Sequence, residues 1–126
     1  MKEHRITNMK ITNVSLSMAD HGCLTFGLTL EGSGFGVVYG GYCIGTGYLG
    51  AKSFKGNQYG IECLMRIMDT VGVERWEDMK GKYIRIVDNG WGSTITTIGH
   101  IIEDKWFDVK EFFKDKEKQY DKERTD

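Results

Sequence analysis

Residues 41–54 read GYCIGTGYLGAKSF, with Gly45, Gly47 and Gly50 in the order G-x-G-x-x-G. That spacing cradles a dinucleotide pyrophosphate when three conditions hold: a buried parallel strand precedes it, a helix opens inside it, and an acidic residue follows about 20 positions later. Here Ala51 to Phe54 and then Gly56 leave no room for a helix before Asn57, and Asp69, at a suitable separation, falls inside a predicted helix. No repeated strand–helix–strand pattern accompanies the motif, so the Rossmann reading is set aside. Two readings of the glycines stay open. They serve bulges, bends and close packing in a twisted sheet, or loop N–H groups among them form an anion nest without a Rossmann fold.

The residues between the glycines bear on that choice. Phe35, Tyr39, Tyr42 and Tyr48 are interleaved with them, where a core would favour Leu, Ile or Val, and Asn89, Trp91, Ser93, Thr94 and Thr96 form a second group. Aromatic faces stack on bases, and amides and hydroxyls read base and ribose edges. Each ring taken singly reads more readily as a core or edge-packing residue.

Catalytic machinery is not indicated. His4, His21 and His100 have no evident partners, and the patterns of zinc proteases, nucleophile elbows, zinc deaminases and P-loops do not occur. Acidic residues lie mainly in charged segments such as Glu74 to Asp78 and the C-terminal tail. A binding protein needs none of the missing groups, so the expectation is no catalytic residue, no metal and no cofactor.

The elements that must position these residues follow from periodicity. Lys10–Met18 and Cys23–Gly32 alternate as half-buried antiparallel strands joined at Asp20-His21-Gly22, with Leu24, Phe26, Leu28 and Leu30 facing one way. FGVVYGGYCI gives a third strand, loosened by glycine. From Asn57 to Val71 the stripe of Ile61, Leu64, Met65, Met68 and Val71, widened by Ile67, predicts a helix capped by Asn57 and closed by Gly72. Two strands then flank Asp88-Asn89-Gly90, a strong hairpin signal, and the β pattern continues over Ser93–Ile102. A second helix begins near Asp108, with Glu111 completing a capping-box-like pair and Trp106 or Phe107 stapled to Phe112. The prediction is a single compact α+β domain: a mostly antiparallel β-sheet with two helices on one face. Residues 1–8 read as an arm or tag, 9–113 as the ligand-binding domain and 114–126 as a charged helical tail.

Composition agrees with one domain. The chain has 126 residues, 17 glycines, no proline and a formal net charge of −1. Nine glycines fall between Gly27 and Gly50. The charge argues against a duplex nucleic acid partner, and no stretch is apolar for long enough to span a membrane. Cys23, Cys43 and Cys63 lie among apolar neighbours and read as reduced, buried thiols.

Three stretches carry a family resemblance: DHGCLTFGLTLEGSGFGVVYGGYCIGTGYLGAKSF, then GIECLMRIMDTVGVERWEDMKGKYIRI, then IGHIIEDKWFDVKEFF. Over roughly Met9 to Phe113 the chain resembles the first-described family of bacteriophage Thoeris anti-defence proteins, the signalling-nucleotide sponges. The resemblance implies immune evasion in the cytoplasm of an infected bacterial host. Such proteins bind cyclic ADP-ribose isomers made by a TIR-domain defence enzyme and hold them uncleaved. Some members also take cyclic di- or trinucleotides at separate sites. They assemble as homodimers, often hexamers, with pockets between subunits. Two other readings stay open: a phage inhibitor that binds a host defence protein directly, and a small nucleotide-cleaving enzyme.

For a ligand with one adenine, two riboses and a pyrophosphate, residue chemistry suggests the contacts. Phe35, Tyr39 or Trp91 would supply a stacking face. Asn89, Thr94 and Thr96 would bind ribose or the base edge. Arg85 or Arg66 would pair with phosphate, and Gly34, Gly36 and Gly90 would let backbone approach. Arg85 reads equally as an exposed sheet residue, and Arg66 more readily as a solvated helix charge.

Overall fold

The computed structural model describes residues 5–32, 34–90 and 94–125, with side chains described as far as Glu117. The described strands are β1 (Arg5–Asp20), β2 (Cys23–Gly32), β3 (Phe35–Thr46), β4 (Lys55–Gly56), β5 (Tyr83–Asp88), β6 (Thr97–His100) and β7 (Trp106–Asp108). Helix α1 (Gly60–Val71) lies between β4 and β5, and α2 (Val109–Thr125) follows β7. One curled sheet in the order β4-β3-β2-β1-β5-β6-β7, antiparallel at every pairing, carries both helices, so the chain is a single compact α+β domain as its sequence predicts.

β1 is the spine. Its first part, Arg5 to Lys10, pairs with Asp88 to Tyr83, and its remainder, Lys10 to Asp20, pairs with Glu31 to Cys23. Residues 5–8 therefore belong to the sheet rather than to a loose arm, because β5 satisfies their backbone groups. At the first hairpin, His21 (φ 51°) and Gly22 (φ 78°) both take positive φ, the conformation that two-residue turns need to match strand twist. The second hairpin departs from expectation. Asp88-Asn89-Gly90 does not close a tight turn; β5 meets β6 across residues 89–96, with Ile86 opposite Ile98 and Ile84 opposite His100. The Asp88 carboxylate accepts the Gly90 N–H at 2.9 Å and lies 3.5 Å from Arg5. That Asx turn is local and directs the chain out of the ladder.

The core lies between the sheet and the helices. Met9, Ile11, Phe26, Leu28, Leu30, Ile84, Ile86 and Ile98 are buried from the sheet, as the alternation of β2 predicts. The phase of α1 differs from the sequence reading. Gly60, Cys63, Ile67, Thr70 and Val71 face inward, leaving Ile61 64 % and Met65 59 % exposed. The cause is close approach: a Cβ on Gly60 would sit 2.6 Å from Ile44 Cβ, so the small residues Gly60 and Cys63 set which side of the helix meets β3. Asn57 accepts the Tyr59 N–H at 2.8 Å, forming a turn just before α1 rather than its cap, and Gly72 closes the helix with φ 92° as expected. At α2, the Asp108 carboxylate accepts the Glu111 N–H at 3.1 Å, and Phe107 packs edge-on to Phe112 at 5.4 Å, so the predicted cap and staple both form.

Candidate functional site

The G-x-G-x-x-G stretch leaves β3 as a loop and enters β4 without opening a helix. Its shape follows from short contacts. The Gly47 N–H donates to Gly22 O at 2.7 Å and ties the loop to the first hairpin. The Tyr48 ring lies against Gly22, where a Cβ would meet it at 2.7 Å, and the Phe54 ring lies against Gly47. Tyr48 O accepts the Ala51 N–H at 2.9 Å, and Gly50 has φ 84°, the geometry of a turn that requires positive φ at its third residue. Leu49 stands at the tip, 93 % exposed. Asn57 N–H then donates to Ile44 O at 2.9 Å and closes the excursion.

Between this loop and the hairpin lies a cavity of about 510 Å³, within the range of small-molecule sites, roughly 300–1,000 Å³. Its lining residues include Lys52 and Lys55, Thr46 and Ser53, His21 and Tyr48. Neither lysine joins an ion pair among the described residues, and no carboxylate lines the cavity. Asp20 is beside it, 4.0 Å from His21 Nε2. In a chain of net charge −1, this is a local concentration of cationic and hydroxyl groups suited to phosphate oxygens. The Gly47 and Ala51 N–H groups are already bonded to backbone oxygens. Those two N–H groups are therefore not open to an anion in this cavity, which would meet the lysine and hydroxyl side chains instead.

A second cavity, about 590 Å³, has Asn8, Lys82, Tyr83 and His100 on its walls and Val71 and Gly72 at the end of α1. His100 Nδ1 accepts the N–H groups of Ile102 at 3.1 Å and Glu103 at 3.0 Å. Its Nε2 lies on the side of Gly72.

The residues singled out from the sequence are distributed differently. Tyr39 is fully buried in the core, its hydroxyl has no hydrogen-bond partner among the described residues, and burial pushes its pKa far up. It cannot stack on a ligand from there, and that expectation is corrected. Arg85 is also a correction: its Nε donates to His100 O at 2.7 Å, another guanidinium nitrogen donates to Glu103 O at 2.6 Å, and it lies 4.5 Å over the Trp106 ring. Arg66 is held by Glu62 at 2.7 Å and lies 5.9 Å over Phe112. Phe35 is half-buried at the β2–β3 turn, opposite Gly32. Asn89 and Gly90 follow β5 and are half-buried; Thr94 is exposed; the Thr96 carbonyl accepts the Val109 N–H at 2.9 Å. Trp91 and Ser93 lie outside the described residues. Among the described residues, none of these lines the 510 Å³ cavity.

The residues that do line it were within reach of the sequence. Lys52, Ser53 and Lys55 follow the last motif glycine directly, and a cation–hydroxyl–cation run after a glycine turn is a phosphate-binding signal of its own. The partner turn at His21 could be placed beside them only once the β2–β3 register was known. The thiols also differ from expectation: all three are free, but only Cys63 is buried, while Cys43 is exposed. Burial pushes the Cys63 thiol up to about 12. Among the described residues no group of three His, Cys, Asp or Glu side chains is placed to hold a metal ion, and no helix is long and apolar enough to cross a membrane. No protein-family model, curated protein or solved structure matches the chain.

Proposed function

We propose that this chain binds a cyclic ADP-ribose-type nucleotide and sequesters it uncleaved, so that TIR-based Thoeris defence is not triggered in an infected bacterial cell. The family resemblance supplies the ligand class and setting. The observation that carries the reading on this molecule is the glycine-loop cavity, whose unpaired lysines, hydroxyls and aromatic ring are complementary to a pyrophosphate and its attached ribose and base. The same cavity supports holding over turnover. The acid–imidazole pair at its edge, Asp20 and His21, is 4.0 Å apart with both side chains largely exposed, which is a poor arrangement for general acid–base work.

Sequestration requires nanomolar affinity or better, about −12 kcal/mol. A cavity open to solvent on a single subunit would weaken every charge-assisted bond. Closure by a second copy would exclude water, which is consistent with the homodimeric or hexameric assembly that the resemblance implies. Tyr48, Leu49 and Phe54 are exposed around the same loop. They favour that closure and also a second reading, direct docking on a host defence protein.

Incubating the protein with cyclic ADP-ribose isomers, filtering it out and heating the retained fraction separates these readings. A sponge depletes the filtrate and returns intact ligand on heating. A hydrolase returns product, and a protein-directed inhibitor leaves the ligand in the filtrate; either result rejects sequestration.

A further inference from the structure

We infer that Cys23 and Cys43 form a paired-thiol site at the end of the β2–β3 ladder that small disulfides oxidise to a cross-strand disulfide. The inference does not depend on what the cavity holds. Register places the two residues together: Cys23 is opposite Thr46, Leu24 opposite Gly45 and Thr25 opposite Cys43, with Ile44 as the extra residue. Two steps along β2 lead from Cys23 to Thr25, which pairs with Cys43, so Cys23 and Cys43 share one face of the sheet and are diagonally adjacent. That is the face away from Phe26, Leu28 and Leu30 of the core, so both thiols are reachable; Cys43 is exposed and Cys23 half-buried. The Cys43 thiol donates to Gly45 O at 3.2 Å, which turns it along its own strand beside Cys23.

In a regular ladder, diagonal Cα atoms lie ~7–8 Å apart, just beyond the ~6.8 Å upper limit for a disulfide. This ladder is not regular there. Register shifts flank Thr25 on both sides, and a bulge is where a strand bends most readily. The site is therefore one in which two thiols interact when reduced and a small movement about Ile44 joins them. Cys23 is already influenced by its neighbour: its pKa is raised, first by the hydrogen-bonding interaction with Cys43, then by burial.

The chemistry balances with a small disulfide such as oxidised glutathione as oxidant. The Cys43 thiolate attacks one glutathione sulfur, the S–S bond breaks, and the leaving thiolate takes up a proton as glutathione. The Cys23 thiolate then attacks Cys43 Sγ of the mixed disulfide and releases the second glutathione. Two protein thiols are oxidised and one glutathione disulfide is reduced to two thiols. Cys63, buried and kept protonated, stays out of the exchange. Because Cys23 and its partner Thr46 directly adjoin Gly22 and Gly47 of the cavity wall, the bond would brace that wall.

The test exposes the intact folded protein to oxidised glutathione, quenches with acid, and reads whole-protein mass, denatured thiol count and a non-reducing peptide map. The expected result is loss of two hydrogens without an adduct, a fall in titratable thiols from three to one, and a Cys23–Cys43 cross-linked peptide. Closure should quicken as pH rises, since the raised Cys23 thiol must ionise. C23S should trap glutathione on Cys43, and C43S should abolish closure. A wild-type protein that accumulates the Cys43 adduct without closing, that links Cys43 between two chains, or that keeps all three thiols overturns the inference.

Discussion

Two regions of this molecule hold the same kinds of residue and use them in opposite ways. Around β5–β7, an arginine, a histidine, a tryptophan and a close-packed glycine lock onto one another. Arg85 caps two carbonyls under Trp106, His100 receives two backbone N–H groups, and Gly99 admits the Trp106 ring. Around Gly45–Gly56, aromatic rings again rest on glycines, but Lys52 and Lys55 join no ion pair among the described residues. The difference lies in the backbone. Where the chain leaves carbonyls unmatched beside a guanidinium, charge becomes structure; where the turn satisfies its own backbone groups, as Gly47 and Ala51 do, the neighbouring lysines remain available to a ligand.

Substitutions can break that contrast. Arg85→Ala has the largest expected effect, a loss of about 2–3 kcal/mol of stability from two charge-assisted hydrogen bonds and a cation–π contact, read by urea unfolding. Ligand affinity of the protein that remains folded should be unchanged; a large affinity loss at constant stability would make Arg85 a ligand contact after all. Replacing Lys52 and Lys55 together by alanine should do the reverse. Stability stays within about 0.5 kcal/mol, while calorimetric affinity for a cyclic ADP-ribose isomer falls roughly 10- to 100-fold.

Asn89→Ala sharpens the comparison further. With the ligand in the glycine-loop cavity, affinity should change by less than about twofold, since Asn89 does not line it. A loss of about 1–3 kcal/mol would instead move the site to the 88–96 loop, as its polar residues suggest from sequence. The smallest effect belongs to Glu62, whose carboxyl is held below the usual range first by its hydrogen bond from Arg66, and also by Lys116. A carboxyl lowered on folding stabilises above its unfolded pKa of about 4.3, and that contribution disappears as pH falls through the folded value. Glu62→Gln should therefore flatten the loss of stability as pH falls below about 4.3, in acid titrations followed by circular dichroism.

The fold was largely legible. Alternation in β2, the Asp20–Gly22 turn, Gly72 at the end of α1 and Asp108 at the start of α2 each obey a local rule that needs no knowledge of distant neighbours. The site was not. Tyr39 and Arg85 have the chemistry of ligand contacts, but their fate is set by what packs on them from other strands. The phase of α1 was hidden for the same reason: Ile61 and Met65 fit an apolar stripe, and only the contact of Gly60 with Ile44 shows that the helix turns its small side inward. Lys52, Ser53 and Lys55 were visible beside the motif, but their partner His21 is joined to them through ladder register.

The long first strand has a consequence for how the chain assembles as it is made. β1 borders β2 through one part of its length and β5 through the other. During synthesis the first hairpin can zip as soon as Gly32 emerges, while Arg5 to Lys10 must wait for residues 83–88. Until then a row of unmatched amides is a sticky edge. The rate-limiting event is thus expected to be the capture of that edge by β5, a closure across some 75 residues of chain.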